Sequence, residues 1–243
     1  TLHFNTMKLS PYVGSLPFIE DFEGFVDTVY VQNQPSIQSN PALSFQTTSE
    51  YGRLMVGTEY YNYSGSKSLI LTRSSYNDQG KNNVILTMDM SDYSASENDL
   101  FFEIGLANGN SSNYSNNKIF IRGSEDDEWL ILYDWYLNRG TVNEVINVSK
   151  LAITDSLAAH SQDFSATFQI RIGEEHYTNF SLIIDYIKVY ESPFADGGRT
   201  GAVAFNIGDR AFMGLGNNET IVYSDLWEAD KLGGFSLQKA DFP

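Results

Sequence analysis

Apolar residues fall in short bursts along the chain, mostly at alternate positions, and breaks rich in Gly, Asn, Ser and Asp separate them. A period of two marks a half-buried strand. Eleven segments read as strands on this ground: Pro17–Glu23, Ala42–Thr47, Arg53–Thr58, Ser68–Thr72, Asn83–Met90, Leu100–Leu106, Lys118–Arg122, Trp129–Tyr133, Val142–Val148, Ser165–Ile172 and Ser181–Tyr190. Their enrichment in Ile, Val, Tyr and Phe supports the assignment. The breaks Tyr63-Ser64-Gly65-Ser66, Asn108 to Asn117 and Gly123 to Asp127 carry turn residues. Helical periodicity shows in one place, Ser149–Ala159, which reads as a short helix or an ordered loop between strands. Many short strands parted by turns predict an all-β fold with a sandwich at its centre.

A second pattern occupies Arg199–Pro243. Arg199, the strand GAVAF, the turn Ile207-Gly208-Asp209, the strand AFMGLG, the segment SDLWEAD and the closing ADFP follow one another. This stretch resembles a Kelch repeat, which implies a four-stranded propeller blade. Its departures are the split glycines Gly214-Leu215-Gly216, Ala229 where an aromatic follows Trp-Glu, and Phe235 in place of a second Trp. A plain β-meander extending a neighbouring sheet is the alternative. One blade leaves both faces uncovered, so the chain is expected to continue beyond Pro243 or to pack this segment on another surface. Ala195-Asp196-Gly197-Gly198 reads as the end of a linker. The expected organisation is a lead-in over 1–16, a sandwich over 17–191, a linker over 192–198 and the Kelch-like repeat over 199–243.

The sandwich segment carries its own resemblance. It opens with Phe18-Ile19-Glu20-Asp21-Phe22-Glu23 and closes with Ile184-Asp185-Tyr186-Ile187-Lys188-Val189-Tyr190. Between them lie GSKSLILT, DLFFEIG, GSEDDEWLIL and ATFQIRIGEE, in that order. The series resembles the jelly-roll family of MAM domains and reelin-type repeats, in a cysteine-free bacterial form. The resemblance implies a jelly-roll β-sandwich, an adhesion or recognition role at the cell surface, and often a structural calcium.

Composition narrows the partners. Acidic residues number 31 against 15 Lys and Arg, for a net charge of −16. Nucleic acid and anionic membrane surfaces are therefore unexpected partners, because both need basic stripes. The chain has no cysteine, which excludes disulfides, thiolate metal sites and cysteine catalysis. No run has the roughly 20 apolar residues of a spanning helix. Sequons at Asn62, Asn110, Asn113, Asn147, Asn179 and Asn218 are compatible with loops on a secreted surface.

Candidate chemistry is sparse. Asp185 stands among Ile183, Ile187 and Val189, so alternation puts its carboxylate on an apolar face. Such a group needs a cation or several donors. If the first and last strands are neighbours, as in a jelly roll, Asp21 and Glu23 approach it, and a Ca2+ site results. A salt bridge to Arg171, or hydrogen bonds to loop amides, would satisfy Asp185 equally. The run Glu125-Asp126-Asp127-Glu128 lacks the order of a calcium loop and reads as a solvated hairpin tip. Asp99 and Glu103 share a strand face, but the paired carboxylates of a glycosidase are not evident. His3, His160 and His176 belong to no triad or metal motif. Tyr61, Tyr63 and Trp135 adjoin loops with Asn and Asp, the setting of sugar-stacking aromatics, though ordinary packing explains them as well. Two functions follow as expectations. One is a non-catalytic extracellular recognition or adhesion module for a protein partner. The other is a carbohydrate-binding module of a polysaccharide-degrading or uptake system.

Overall fold

The computed structural model describes residues 11–58, 65–75, 80–96, 98–108, 117–135, 146–174, 181–191, 200–208, 210–217, 222, 225–229 and 235–241. Among these, the strands form three antiparallel sheets, two of them stacked as a sandwich. The larger sheet runs β10 (Ile146–Ala152), β7 (Leu100–Asn108), β12 (Leu182–Glu191), β5 (Ser68–Arg73), β4 (Gly52–Gly57), β2 (Thr28–Tyr30). The short β1 (Phe18–Glu20) also pairs with β12. The second sheet runs β3 (Leu43–Thr47), β6 (Asn82–Met88), β11 (Phe168–Glu174), β8 (Asn117–Arg122), β9 (Leu130–Asp134).

Alternation fills the space between the sheets. Leu54, Val56, Leu69, Leu71, Phe102, Ile104, Leu182 and Ile184 project from the larger sheet. Leu43, Phe45, Val84, Leu86, Ile119, Ile121, Phe168, Ile170 and Ile172 meet them from the other. Each fully buried side chain of this size stabilises the fold by about 1.5–3 kcal/mol through burial.

The expected first-to-last pairing is present, with Phe18 opposite Val189 and Glu20 opposite Ile187. β12 contains a bulge. Ile184 faces Leu106 and Tyr186 faces Gly105, so Asp185 is an additional residue with no opposite number. The inward set therefore changes from Leu182 and Ile184 to Ile187 and Val189. The outward side of this strand is also buried, at Ile183, Tyr186, Lys188 and Tyr190.

Two local expectations are revised. β2 had no clear signal in its three residues. Ser149–Ala159, read as a short helix or an ordered loop, divides, with β10 continuing to Ala152 and a helix α1 only over Ile153–Ala158. Lys150, at φ 57°, accompanies a register shift between Val148 and Leu151. α1 buries Ile153 and Leu157, and Thr154 Oγ1 stitches it to β7 by accepting from Leu100 N and donating to Asn98 O.

The third sheet is a meander of β13 (Val203–Ile207), β14 (Arg210–Gly214), β15 (Asp225–Ala229) and β16 (Phe235–Asp241). It is separate from the sandwich sheets in its pairing, so it does not extend either of them. Phe205 stacks on Phe212 at 5.4 Å, and Arg210 forks onto the Glu228 carboxylate.

Candidate functional site

Several outward positions of the five-stranded sheet are buried, while others, such as Gln46 and Ile131, are exposed. Register places them in three rows across the strands. The first row is Ser44, Ile85, Arg171, Phe120, Ile131. The second is Thr87, Gln169, Arg122. The third is Gln46, Asn83, Gly173, Lys118, Asp134. Ile85 and Phe120 are each 3% exposed, and Ser44, Thr87, Gln169 and Asn83 are also buried. Arg171 lies over Phe120, while Ile131 at the end of the same row is 52% exposed.

The rows are held by specific contacts. Gln169 Oε1 accepts from Arg122 Nε at 2.8 Å and Nη2 at 2.5 Å, while Gln169 Nε2 donates to Thr87 Oγ1 at 3.1 Å. Trp129, just before β9, lies under two guanidiniums, Arg122 at 4.3 Å and Arg171 at 4.5 Å. Arg171 also covers the Phe120 ring at 4.0 Å. The result is a chain of rings and guanidiniums, Phe120–Arg171–Trp129–Arg122, lying across the middle of the face. Lys118 Nζ pairs with Asp134 at 3.2 Å at the other end.

Electrostatics at the rim follow from the acidic hairpin tip. Glu125, Asp126 and Glu128 are exposed, as expected of a solvated turn. Burial pulls the Arg122 guanidinium below its ordinary value, and Glu125, Asp127, Asp126 and Glu128 push it back up. Arginine remains charged in either case. The turn itself is fastened by Gly123 N donating to Gln162 Oε1 and Glu125 N donating to Thr167 Oγ1.

The residues singled out from sequence take other places. Trp135 is 2% exposed and belongs to the core, so it is no surface platform. It directly follows β9, and alternation alone does not reveal its inward position. Tyr61 and Tyr63 lie outside the described residues. Glu103 is buried on β7 directly opposite Lys188, on the larger sheet. Arg171, the alternative partner considered for Asp185, stands on the outer face of the opposite sheet.

The calcium candidates are dispersed in function. Asp21 Oδ1 accepts from Glu23 N at 3.2 Å. Glu23 accepts from Ser66 N, Ser66 Oγ and Lys67 N, at 2.6, 2.8 and 2.6 Å. These donors hold its carboxyl below the ordinary range, with the Lys67 amide the largest cause. A carboxylate whose oxygens already face three donors clamps two loops and is poorly placed to ligate a cation. Asp185 is buried at the bulge. Among the described residues, no group of three or more His, Cys, Asp or Glu side chains is gathered as a metal site. The set Asp21, Glu23 and Asp185 therefore does not fit Ca2+ as arranged.

A concavity of about 350 Å³ lies at the β2 edge of the larger sheet. Val29, Met55 and Ile70 form one cross-strand row within it, with Asp27 and Thr28 at its side. Asp27 is engaged by Lys67 at 3.3 Å. This cleft is mainly apolar, whereas the five-stranded face combines amide, hydroxyl, guanidinium and ring groups.

No protein-family model matches the chain, and no curated protein matches it. Weak structural likenesses to solved structures are found. The C-terminal family 22 carbohydrate-binding module of Clostridium thermocellum Xyn10B gives a TM-score of 0.44 at 9% identity, over 72% of this chain and 92% of that one. The family 30 carbohydrate-binding module of the Clostridium thermocellum cellulosomal cellulase Cel9D-Cel44B gives 0.43 at 18% identity, over 70% and 96%. The Endo-D glycoside hydrolase domain from Streptococcus pneumoniae R6 gives 0.42 at 12% identity, over 92% of this chain and 42% of that chain. All three TM-scores are below 0.5 at low identity, and the function of this chain is read from its own residues.

Proposed function

We propose that the outer face of the five-stranded sheet is a non-catalytic carbohydrate-binding surface of an extracellular protein. The observation that carries this is the set of outward polar positions, Ser44, Thr87, Gln169 and Asn83, which are buried, and Lys118, which is partly buried, beside Phe120 and Trp129. A sugar chain offers many hydroxyls and flat C–H faces. It calls for directional donors and acceptors beside rings, which is the makeup of this face. The carbohydrate reading is favoured over protein adhesion because the face is rich in side-chain amides and hydroxyls, not broadly apolar.

The ligand proposed is a neutral polysaccharide. A chain of net charge −16, with four carboxylates in the turn beside Arg122, repels polyanions at long range. Catalysis is not part of the proposal. A glycosidase needs two carboxyl groups about 5–10 Å apart across the scissile bond. Asp134 is the carboxylate of the described rows, and it is tied to Lys118.

Affinity electrophoresis of the full chain against xylan, mixed-linkage β-glucan, glucomannan and polygalacturonate tests the reading. Retardation by at least one neutral polymer, reduced in Arg171→Ala, is expected. Retardation by polygalacturonate alone, or by none of the four, overturns it.

A further inference from the structure

The cleft at the β2 edge plays no part in the carbohydrate-binding surface, which lies on the opposite sheet. Val29, Met55 and Ile70 line it in one row from the edge inward. Ile70 is buried and packs with Ile183 and Met55 in a small apolar cluster apart from the main core. Val29, at the outer end of the row, is 52% exposed. Gly57 also lines the cleft, and among the described residues a Cβ built on it meets no atom within 4 Å. The floor is therefore formed and the space above it is open.

The edge beside this cleft is unshielded. β2 ends the order of the larger sheet, and among the described residues it pairs with β4 alone. An edge strand presents unpaired N–H and C=O groups, and proteins commonly protect it with Lys, Pro or a bulge. Thr28-Val29-Tyr30 contains neither residue and pairs with β4 in plain register. Alternation sets Asp27 and Val31 on the same face as Val29. Val31 is 48% exposed. Asp27 pairs with Lys67 at 3.3 Å, yet its side chain is 64% exposed, so the carboxylate stays open to a second cation. Asp21 and Glu23 stand in the loop before it, and Glu23 accepts from the backbone of Ser66 and Lys67. Three carboxylates against one ammonium leave this edge acidic, within a chain of net charge −16.

We infer that this edge receives an extended basic segment of a protein partner. The segment adds antiparallel to β2 as a further strand, the mode in which ladder hydrogen bonds give affinity and pockets for alternate side chains give specificity. One apolar side chain stands opposite Val29 and enters the cleft over Met55 and Ile70. The residue two before it covers Val31. A Lys or Arg two after it meets Asp27, with its aliphatic stem toward the open space at Gly57. The pattern recognised is apolar-x-apolar-x-basic. Three strand residues offer few ladder bonds, so the cleft and Asp27 decide which segments bind. Val29, Met55 and Ile70 offer no ring, and their row suits an aliphatic side chain better than a pyranose face.

Fluorescence anisotropy of the full chain with a labelled peptide, Ser-Val-Thr-Leu-Thr-Lys-Ser, tests this beside a second peptide with Glu in place of Lys. The Lys peptide should bind, and the Glu peptide should bind about 5-fold more weakly or worse, because it sets like charges together. Gly57→Val fills the cleft where there is room for it. It should melt no lower than wild type and weaken the Lys peptide about 10-fold or more, the value of one excluded apolar side chain. Asp27→Asn should weaken it about 2- to 5-fold, the value of an exposed ion pair. Asp27→Lys should reverse the preference between the two peptides. The backbone amides of Thr28, Val29 and Tyr30 should shift in nitrogen-15 spectra as the Lys peptide is added. If Gly57→Val loses stability, those shifts and Asp27→Lys decide. Binding of neither peptide, equal binding of both, or a stable Gly57→Val that binds like wild type overturns the proposal. So does movement of the same amides by xylohexaose and not by peptide, which would assign the cleft to a sugar. A wild-type dimer that Val29→Lys dissolves would assign the edge to a second copy of the chain and overturn it as well.

Discussion

Replacing Arg171 by alanine attacks the middle of the five-stranded face, and its cost can be worked from the contacts. The guanidinium carbon lies 4.0 Å from the Phe120 ring centre and 4.5 Å from that of Trp129. Both are well inside the roughly 6 Å limit for cation–π attraction, which contributes about 0.5–1 kcal/mol when exposed and about 2 when desolvated. Arg171 and Trp129 are half-buried and Phe120 is buried. Intermediate values for two contacts, together with lost cover over Phe120, give about 2–3 kcal/mol. A domain of this size shifts by about 2–4 °C per kcal/mol, so melting should fall by about 4–12 °C. A double-mutant cycle with Trp129→Ala isolates one contact. The Arg122 contact of Trp129 is lost in both legs of the cycle and cancels. Urea denaturation of the four proteins should show a coupling near 1 kcal/mol. Independent sites add to within about 0.3–0.5 kcal/mol, so additivity within that margin would refute the claim that ring and guanidinium are energetically joined.

Two further outcomes are expected. Trp135→Ala should lower stability by about 3–5 kcal/mol, as large-to-small core changes do, while leaving polysaccharide retardation unchanged; a variant as stable as wild type would place this indole outside the core. The carboxyls of Glu23, Asp89 and Asp163 lie below their ordinary values through hydrogen bonds, led respectively by the Lys67 amide, the Ser91 hydroxyl and the Ala95 amide. Depressed carboxylates contribute stability above their unfolded values, about 4.5 for Glu and 3.8 for Asp, and lose it as pH falls through the lower folded values. Glu20, raised chiefly by burial, opposes this trend. Glu23→Gln should therefore flatten the acid limb of melting temperature against pH, and a limb parallel to wild type would deny Glu23 that part.

Most of the strand framework was legible because alternation is a local property. Leu54 and Val56, or Ile119 and Ile121, announce their inward face without reference to any partner. β2 was not legible, since three residues carry too little pattern. The division of 146–158 into strand and helix escaped for another reason: the apolar positions of Leu151, Ile153 and Leu157 satisfy either period. The site was the least readable part. Alternation tells that Ser44, Thr87, Gln169 and Arg171 point away from the core. It does not tell that Ser44, Thr87 and Gln169 are nevertheless buried, because that depends on strands distant in sequence. Trp129 and Trp135 illustrate the point. Both flank the same short strand, one joins the guanidiniums outside and the other joins the core, and only the packing distinguishes them.

Asp185 has a consequence for how the most buried strand tolerates changes in length. With the additional residue in place, Leu182 and Ile184 point inward before it and Ile187 and Val189 after it. Removing Asp185 alone would restore simple alternation across Ile184, Tyr186 and Ile187, so both halves would keep their faces. Removing Ile184 instead would set the Asp185 carboxylate in the inner layer. The strand thus has a single position of slack in an otherwise length-fixed interior. A homologous chain without the bulge would align with a one-residue gap at Asp185, inside the core strand where gaps are least expected.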